Sequence, residues 1–358
     1  MASEELKIRI LLIGDPHFKT SNAEETNILT TDVITALDEL KPDFTVVLGD
    51  ILDTHEKVNL FAMNRATDFL RQVKNHSPHT YILIGNHDRP NNQTFLTEEH
   101  PFTSLKEWSK TTIVDRVEKV RFRKEGQNAT FVFVPYVPTG RLNEALQTKQ
   151  LGMETEAFAA VNCFFSHQEY KGAKMNAITS NEGDLWPSDA PMNFSGHIHD
   201  YDELQGNLIY VGTPYQIGYA DRHDKGVMMV EFVYDSEFSK WRFGGMERFS
   251  LNVPTKLTVK MAPEELPTYE LPENTHVRIV LDGDPKVIRE IMKLHPVKNM
   301  VKTGRVKFKI ANSSMPSADL SIVSEEGVKP FQTLLLTAVE NASKELQTEF
   351  QRLFGNSE

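Results

Sequence analysis

Five short strings carry side chains with the chemistry of a metal centre. Asp15 and His17 stand in IGDPHF, Asp50 in LGDILD, Asn86 and His87 in IGNHDRP, His167 in FFSHQ, and His197 and His199 in GHIH. An Asp-x-His or His-x-His pair in extended backbone sends both side chains to the same side, where they can clasp one cation. The two oxygens of a carboxylate such as Asp50 can bridge two cations, asparagine offers a neutral oxygen, and histidine offers a ligand nitrogen or a proton. Taken singly these strings are ordinary. A strand ending in Gly-Asp is a frequent turn, and a histidine closing an apolar run such as FFSH is more often a hydrogen-bonded core residue. Taken together they bring metal-binding histidines, further polar ligands and a shared carboxylate to the ends of strands, a set that chance does not readily assemble.

The elements that must position these residues follow an α/β rhythm. Apolar runs at Ile8 to Ile13, Phe44 to Leu48 and Tyr81 to Ile84 alternate with helical patterns near Glu24 to Leu40 and Leu60 to His76. Each of the three runs leads into Gly-Asp or Gly-Asn, and in open α/β sheets ligands gather where loops leave the carboxyl ends of the strands. A second set of strands is expected at Arg121 to Arg123, Phe131 to Tyr136, Asn162 to Ser166, Met192 to Ser195, Leu208 to Val211 and Val227 to Tyr234, forming a second sheet packed on the first. Between them Gly140 to Glu156 reads as a polar connector with a short helix, and Glu169 to Asp189 as a long loop. The expected fold is therefore mixed α/β, a two-sheet β-sandwich flanked by helices over residues 1–260.

The prolines and glutamates of MAPEELPTYELPEN mark a stiff, solvated link at 261–272. Beyond it, His276 to Leu281, Pro285 to Leu294 and Val306 to Ile310 read as strand, helix and strand of a small α/β unit spanning 273–326. Asp284, just before Pro285, is placed to cap that helix. Residues 327–358 carry a helix from about Pro330 to Phe354, with Leu335, Val339, Ala342, Leu346, Phe350 and Leu353 on one face.

Composition sets the bounds. The chain has 358 residues, 39% of them apolar and 25% charged, enough for one large or two modest domains. A lone cysteine, Cys163, excludes an intramolecular disulfide framework and any CxxC site, and points to a reducing compartment. The apolar runs are strand-sized, so no membrane span is expected, and the acidic start MASEELKIRI leaves no room for a signal or transit peptide. A cytoplasmic protein is expected, or a nuclear one. The net charge of -11 is opposite to the basic footprint of a protein that holds nucleic acid by phosphate neutralisation alone, unless bound cations or a partner supply the positive charge.

In order, GDPH, GDILD, GNHD, FSHQ and GHIH resemble the five-part signature of calcineurin-like metallophosphoesterases over roughly residues 8–235. Within that superfamily the chain is most similar to the SbcD type, the nuclease subunit of SbcC/SbcD and Mre/Rad DNA repair complexes, including bacteriophage recombination endonuclease subunits. The resemblance implies that Asp15, His17, Asp50 and His199 surround one metal and Asp50, Asn86, His167 and His197 a second, with Asp50 bridging. His87 would contact the phosphate and assist the departing oxygen without being a ligand. Oxygen and nitrogen ligands without thiolate suit manganese, which the family precedent also favours, with iron, zinc or magnesium as alternatives. Two such cations, about 4 Å apart, activate water and neutralise phosphate charge.

The string IYVGTPYQIGYAD at Ile209 to Asp221 also looks like the SbcD branch. The phosphoprotein phosphatase pattern GDYVDRG with GNHE is not met, since Asp53 is followed by Thr54 and the third motif ends in Asp88. The loop after the second motif lacks a proline usual in cellular members, and His55 within it reads more readily as a solvated residue than as an active one. The implied activity is exonuclease and single-strand endonuclease cleavage of DNA in recombination and repair. The implied partners are DNA, an SbcC/Rad-type ABC ATPase docking on the terminal helix, and a second copy of the chain, dimerising through helices at Leu60 to His76 and Phe95 to Lys110. No Walker motif occurs, so ATP use would belong to the ATPase. The competing expectations are a phosphodiesterase for small or cyclic nucleotide diesters, and a catalytically silent scaffold.

Overall fold

The first strand, β1 (Lys7–Ile13), is apolar on both faces because both are covered. Ile8, Ile10 and Leu12 turn to one core cluster and Leu11 and Ile13 to another, the period-two division of a strand buried between layers. The computed structural model describes residues 5–311 apart from 56, 152–157, 159 and 176–177. After β1 come α1 (Ala23–Leu40), β2 (Phe44–Val47), α2 (Leu60–His76), β3 (Thr80–Leu83) and β4 (Thr111–Val114), with β1 to β4 parallel. Asn59 starts α2 by accepting from the amides of Phe61 and Ala62. Ala62, Ala66, Phe69, Leu70 and Val73 then form its buried face against the sheet.

The second half builds β5 (Glu118–Lys124), β6 (Gln127–Val134), α3 (Leu142–Gln147), β7 (Cys163–His167), a short ribbon of β8 (Lys174–Met175) and β9 (Ile178–Thr179), then β10 (Met192–Gly196), β11 (Asp202–Gln205) and β12 (Leu208–Tyr210). The second sheet runs β11-β12-β10-β7-β6-β5. Its inner residues Phe131, Phe133, Phe165 and Phe194 meet Ile10, Phe44 and Val46 of the first sheet in one core. The expected two-sheet sandwich flanked by helices is what the chain forms.

One strand changes sheets. The run expected at Val227 to Tyr234 is β13 (Val227–Asp235), but it lies antiparallel to β1 in the first sheet, which runs β14-β13-β1-β2-β3-β4 with β14 (Lys240–Phe249) at its edge. The alternation of Met228, Val230 and Phe232 identifies a strand with one face in the central core but carries no information about its neighbour, and both sheets face that core. The span from Phe95 to Lys110 also departs from expectation. It holds turns and one five-residue 3-10 helix, Thr103–Glu107, in place of an α-helix, with Pro101 interrupting any longer one.

The segment read as a solvated link is folded. β15 (Thr255–Met261) pairs in parallel with β16 (Thr275–Leu281), and β16 with β17 (Val306–Ile310). Residues 262–274 therefore form the crossover between β15 and β16. Their 3-10 helix, Pro263–Thr268, buries Leu266 beside Met261, Ile279 and Leu281. α4 (Pro285–Ile291) begins at Asp284, whose carboxylate accepts from the Lys286 amide as expected, and α5 (His295–Lys302) follows. The expected terminal helix near Pro330 to Phe354 lies outside the described residues. Among the described residues no helix is long and apolar enough to cross a membrane.

Phe44 joins the two sheets. Its ring lies 5.4 Å from those of Tyr81 and Phe131 and 6.4 Å from Phe133 and Phe165. Phe44→Ala is expected to cost about 3–5 kcal/mol in denaturant unfolding followed by tryptophan fluorescence. A cost below about 1 kcal/mol would mean that the sheets close over the missing ring.

Candidate metal centre

The ligand candidates all lie at strand exits on one rim. Asp15 and His17 follow β1, Asp50 follows β2, Asn86 and His87 follow β3, His167 ends β7, and His197 and His199 follow β10. Both sheets contribute, so the rim is closed by packing one sheet against the other. The first two exits are tied together, the His17 amide donating to the Asp50 carbonyl at 3.0 Å and the Phe18 amide to the Ile51 carbonyl at 2.7 Å.

Two groups of side chains result. Asp15, His17 and His199 form one and Asp50, His167 and His197 the other, with the ligand atoms of each group within 4.8 Å of one another. Asp50 lies between them. Its Oδ2 is 3.8 Å from His17 Nε2 and its Oδ1 3.3 Å from His167 Nε2. Asn86 Oδ1 is 3.1 Å from His167 Nε2 and 2.8 Å from His197 Nδ1, which places the amide oxygen in the second group. In the first group His17 Nε2 and His199 Nε2 face each other at 3.0 Å. The paired histidines of GHIH thus serve different groups, because His197 adopts left-handed backbone at φ 79° in place of an extended conformation. His17 at φ 46° and Asp50 at φ 45° share that conformation, a strain that non-glycine residues hold only when their surroundings impose it.

Several contacts impose it. The buried carboxylate of Asp88 accepts from the amides of Ile51, Leu52 and Gly85, clamping the exit of β2 to that of β3. Burial, with Asp50 nearby, pushes its pKa up to about 6. Tyr215 donates its hydroxyl to the Pro16 carbonyl and accepts from Asn22, whose amide also donates to the His17 carbonyl. Lys225 donates to the His199 carbonyl at 2.6 Å. Two glycines leave room that a side chain would fill: a Cβ at Gly85 would stand 2.2 Å from Asp50 Oδ1, and one at Gly196 2.5 Å from Asp15 Oδ1. Sequence reasoning missed Asn22, Tyr215 and Lys225 and used Asp88 only as a branch marker. The signal for Asp88 was its place in GNHD, and that for Tyr215 its place in GTPYQ.

Three of the four histidines of these groups are held neutral. Burial holds the His17 imidazole well below its usual range, with His199 and His87 adding to the effect against Asp50. Burial and then His167 take His197 down to about 3, and burial lowers His199. These rings are neutral and can offer lone pairs. His167 donates from Nδ1 to the Leu48 carbonyl at 2.7 Å, which turns Nε2 toward Asp50 and Asn86. Burial alone would lower His167, but Asp50 and Asp15 raise it to about 9. Against burial, His167, His17 and His87 hold Asp50 well below the usual carboxylate range. Burial raises Asp15 well above it. Asp15 Oδ1 and His17 Nδ1 are buried without a hydrogen-bond partner, and both residues belong to the first group. Neutral imidazoles at His17, His197 and His199 converge with the oxygens of Asp15, Asp50 and Asn86, one of them orphaned. This donor set fits a pair of divalent cations whose binding would displace the protons of His167 and Asp15.

His87 stands apart. It is half-buried, its backbone amide donates to Asp50 Oδ1 at 2.9 Å, and its Nδ1 donates to the Asp53 carbonyl at 2.8 Å. Its Nε2 is left 3.9 Å from Asp50 Oδ2, facing the centre without joining either group.

A family model for calcineurin-like phosphoesterases matches residues 8–201, from β1 through the GHIH loop. The chain belongs to that family. It is 36% identical over 343 residues to "Putative phosphoesterase 078R" of Invertebrate iridescent virus 3, covering 94% of this chain and 93% of that protein. It is 37% identical over 289 residues to "Putative phosphoesterase 244L" of Invertebrate iridescent virus 6, covering 80% and 97%. A solved dimetal phosphatase from Danio rerio aligns at 13% identity and a TM-score of 0.39, covering 66% of this chain and 96% of that one. As a calcineurin-like phosphoesterase, the chain has two candidate metal sites at its strand exits, and its hydrolytic class is that of the family.

Calorimetric titration with manganese is expected to show two ions per chain for the native protein and for His87→Ala, and loss of both from Asp50→Ala. Two ions still held by Asp50→Ala would remove Asp50 from the bridging position. Gly196→Ala is expected to weaken the Asp15 group first, because its methyl meets Asp15 Oδ1.

Proposed function

We propose that this phosphoesterase is a two-metal DNA phosphodiesterase, cutting as an exonuclease and a single-strand endonuclease and acting as the nuclease subunit of an SbcC/SbcD-like complex. The observation that carries the reading is the placement of His87 Nε2 beside the shared carboxylate of Asp50, joined to the ordered motifs of the SbcD branch.

The chain's own residues divide the work. Asp15, His17, Asp50 and His199 would hold one cation and Asp50, Asn86, His167 and His197 the other. Bound manganese, or magnesium, iron or zinc in its place, would activate water and neutralise the phosphate, which answers the difficulty of an acidic chain of net charge -11 meeting an acidic polymer. The bond to the Asp53 carbonyl keeps a proton on His87 Nδ1 and fixes the ring plane, so Nε2 is the nitrogen that meets substrate. Protonated there, it contacts the phosphate and gives its proton to the departing oxygen. The half exposure of His87, with His197 and His199 half-buried beside it, lets a polymer reach the site from outside.

The reading also assigns partners. An ABC-type ATPase would supply the ATP hydrolysis for which this sequence has no Walker motif, docking on 327–358, and a second copy would pair through α2.

With manganese, the protein is expected to nick plasmid and shorten oligonucleotides, and His87→Ala to be slower by about 10²–10⁴-fold with its metals retained. Hydrolysis of small diesters alone would favour the small-diester reading, and no hydrolysis of either substrate would favour a scaffold.

A further inference from the structure

His87 also borders a cavity of about 330 Å³ whose lining includes His55 and Val58 from the loop after β2, Pro90 from the loop after β3, and Glu99, His100 and Pro101, with further polar residues between them. The His55 ring is stacked on His87, with centroids 4.4 Å apart and planes at 21°. Its Nδ1 is buried with no hydrogen-bond partner among the described residues. The volume lies at the lower end for ligand pockets, and imidazole faces with proline and valine walls accept a flat heteroaromatic ring. Stacking of this kind tolerates any base because every base has a π-face.

Position gives the cavity its meaning. If His87 protonates the departing oxygen, the group carried by that oxygen lies on the His87 side of the phosphate, and His87 lines this cavity. We infer that the cavity is a subsite for the nucleobase of the departing nucleoside, with His55 as its stacking platform. The inference rests on the nuclease reading above and extends it to substrate recognition.

The test uses the full chain with manganese and dinucleotides from which one base has been removed. The departing nucleoside is recognised as the product fragment that leaves without phosphate. The native protein is expected to favour the intact dinucleotide over the one lacking the departing base by about tenfold in kcat/KM. His55→Ala is expected to bring that ratio to about one, and His55→Phe to restore it. Removing the base on the phosphate-retaining side should change kcat/KM by the same factor in all three proteins. If His55→Ala slows both dinucleotides equally, His55 merely supports His87 and the subsite is overturned.

Should intact dinucleotides resist cleavage while a base-free diester is hydrolysed, the nuclease reading fails. The subsite then stands or falls on binding. Dinucleotide-dependent shifts of the His87 imidazole signals in the metal-free chain, absent from His55→Ala, would support it, and their absence from the native protein would overturn it.

Discussion

The architecture of the site depends on one carboxylate. Asp50 turns one oxygen toward His17 of the first group and the other toward His167 of the second. A carboxylate can divide itself in this way only if its plane and backbone are held, since rotation about a single bond would swing both oxygens out of register. The backbone at Asp50 is left-handed, a conformation that would relax if the residue stood alone. The Asp88 clamp on the next two amides, and the bond from the His87 amide to Asp50 Oδ1, keep it there. The ordering is built into the protein before any cation arrives, which is the condition for a site in which geometry and ligand type, and not raw affinity, select among divalent ions.

The two sheets explain why such a site needs a sandwich. Asp15, Asp50 and Asn86 come from three adjacent parallel strands of one sheet, whereas His167 and His197 come from two adjacent parallel strands of the other. The phenylalanines between the sheets therefore set the distance between carboxylates and imidazoles, and Phe44 connects structural stability to the metal centre. The small sheet is attached beside this assembly. Gln216, next to Tyr215, accepts from the Lys256 amide at 2.6 Å, and Lys256 Nζ donates to the Gln216 and Ile217 carbonyls. The same loop that reaches Pro16 through Tyr215 thus also grips β15, so the small unit and the first ligand pair share a support.

What the sequence made legible follows from the range over which each signal acts. The strand exits and their polar residues were readable because Gly-Asp, Gly-Asn and His-x-His are local, and the ordered set named the family. The sheet to which β13 belongs was not, since Met228, Val230 and Phe232 give the same alternation in either sheet. β15 was missed because its polar alternation, TKLTVKM, leaves only part of one face buried, and the following Pro-rich segment looks solvated although Leu266 is held in a core. The division of His197 and His199 between two groups depends on a backbone conformation at His197 that no spacing rule contains. The supports from Asn22 and Tyr215 lie 193 positions apart in the chain, beyond any local pattern.

The most direct measurement is an anomalous-scattering map from crystals of the full chain soaked in manganese. The account predicts two peaks about 4 Å apart, with one oxygen of Asp50 directed at each. A single peak, or two peaks with Asp50 bound to only one of them, would contradict it.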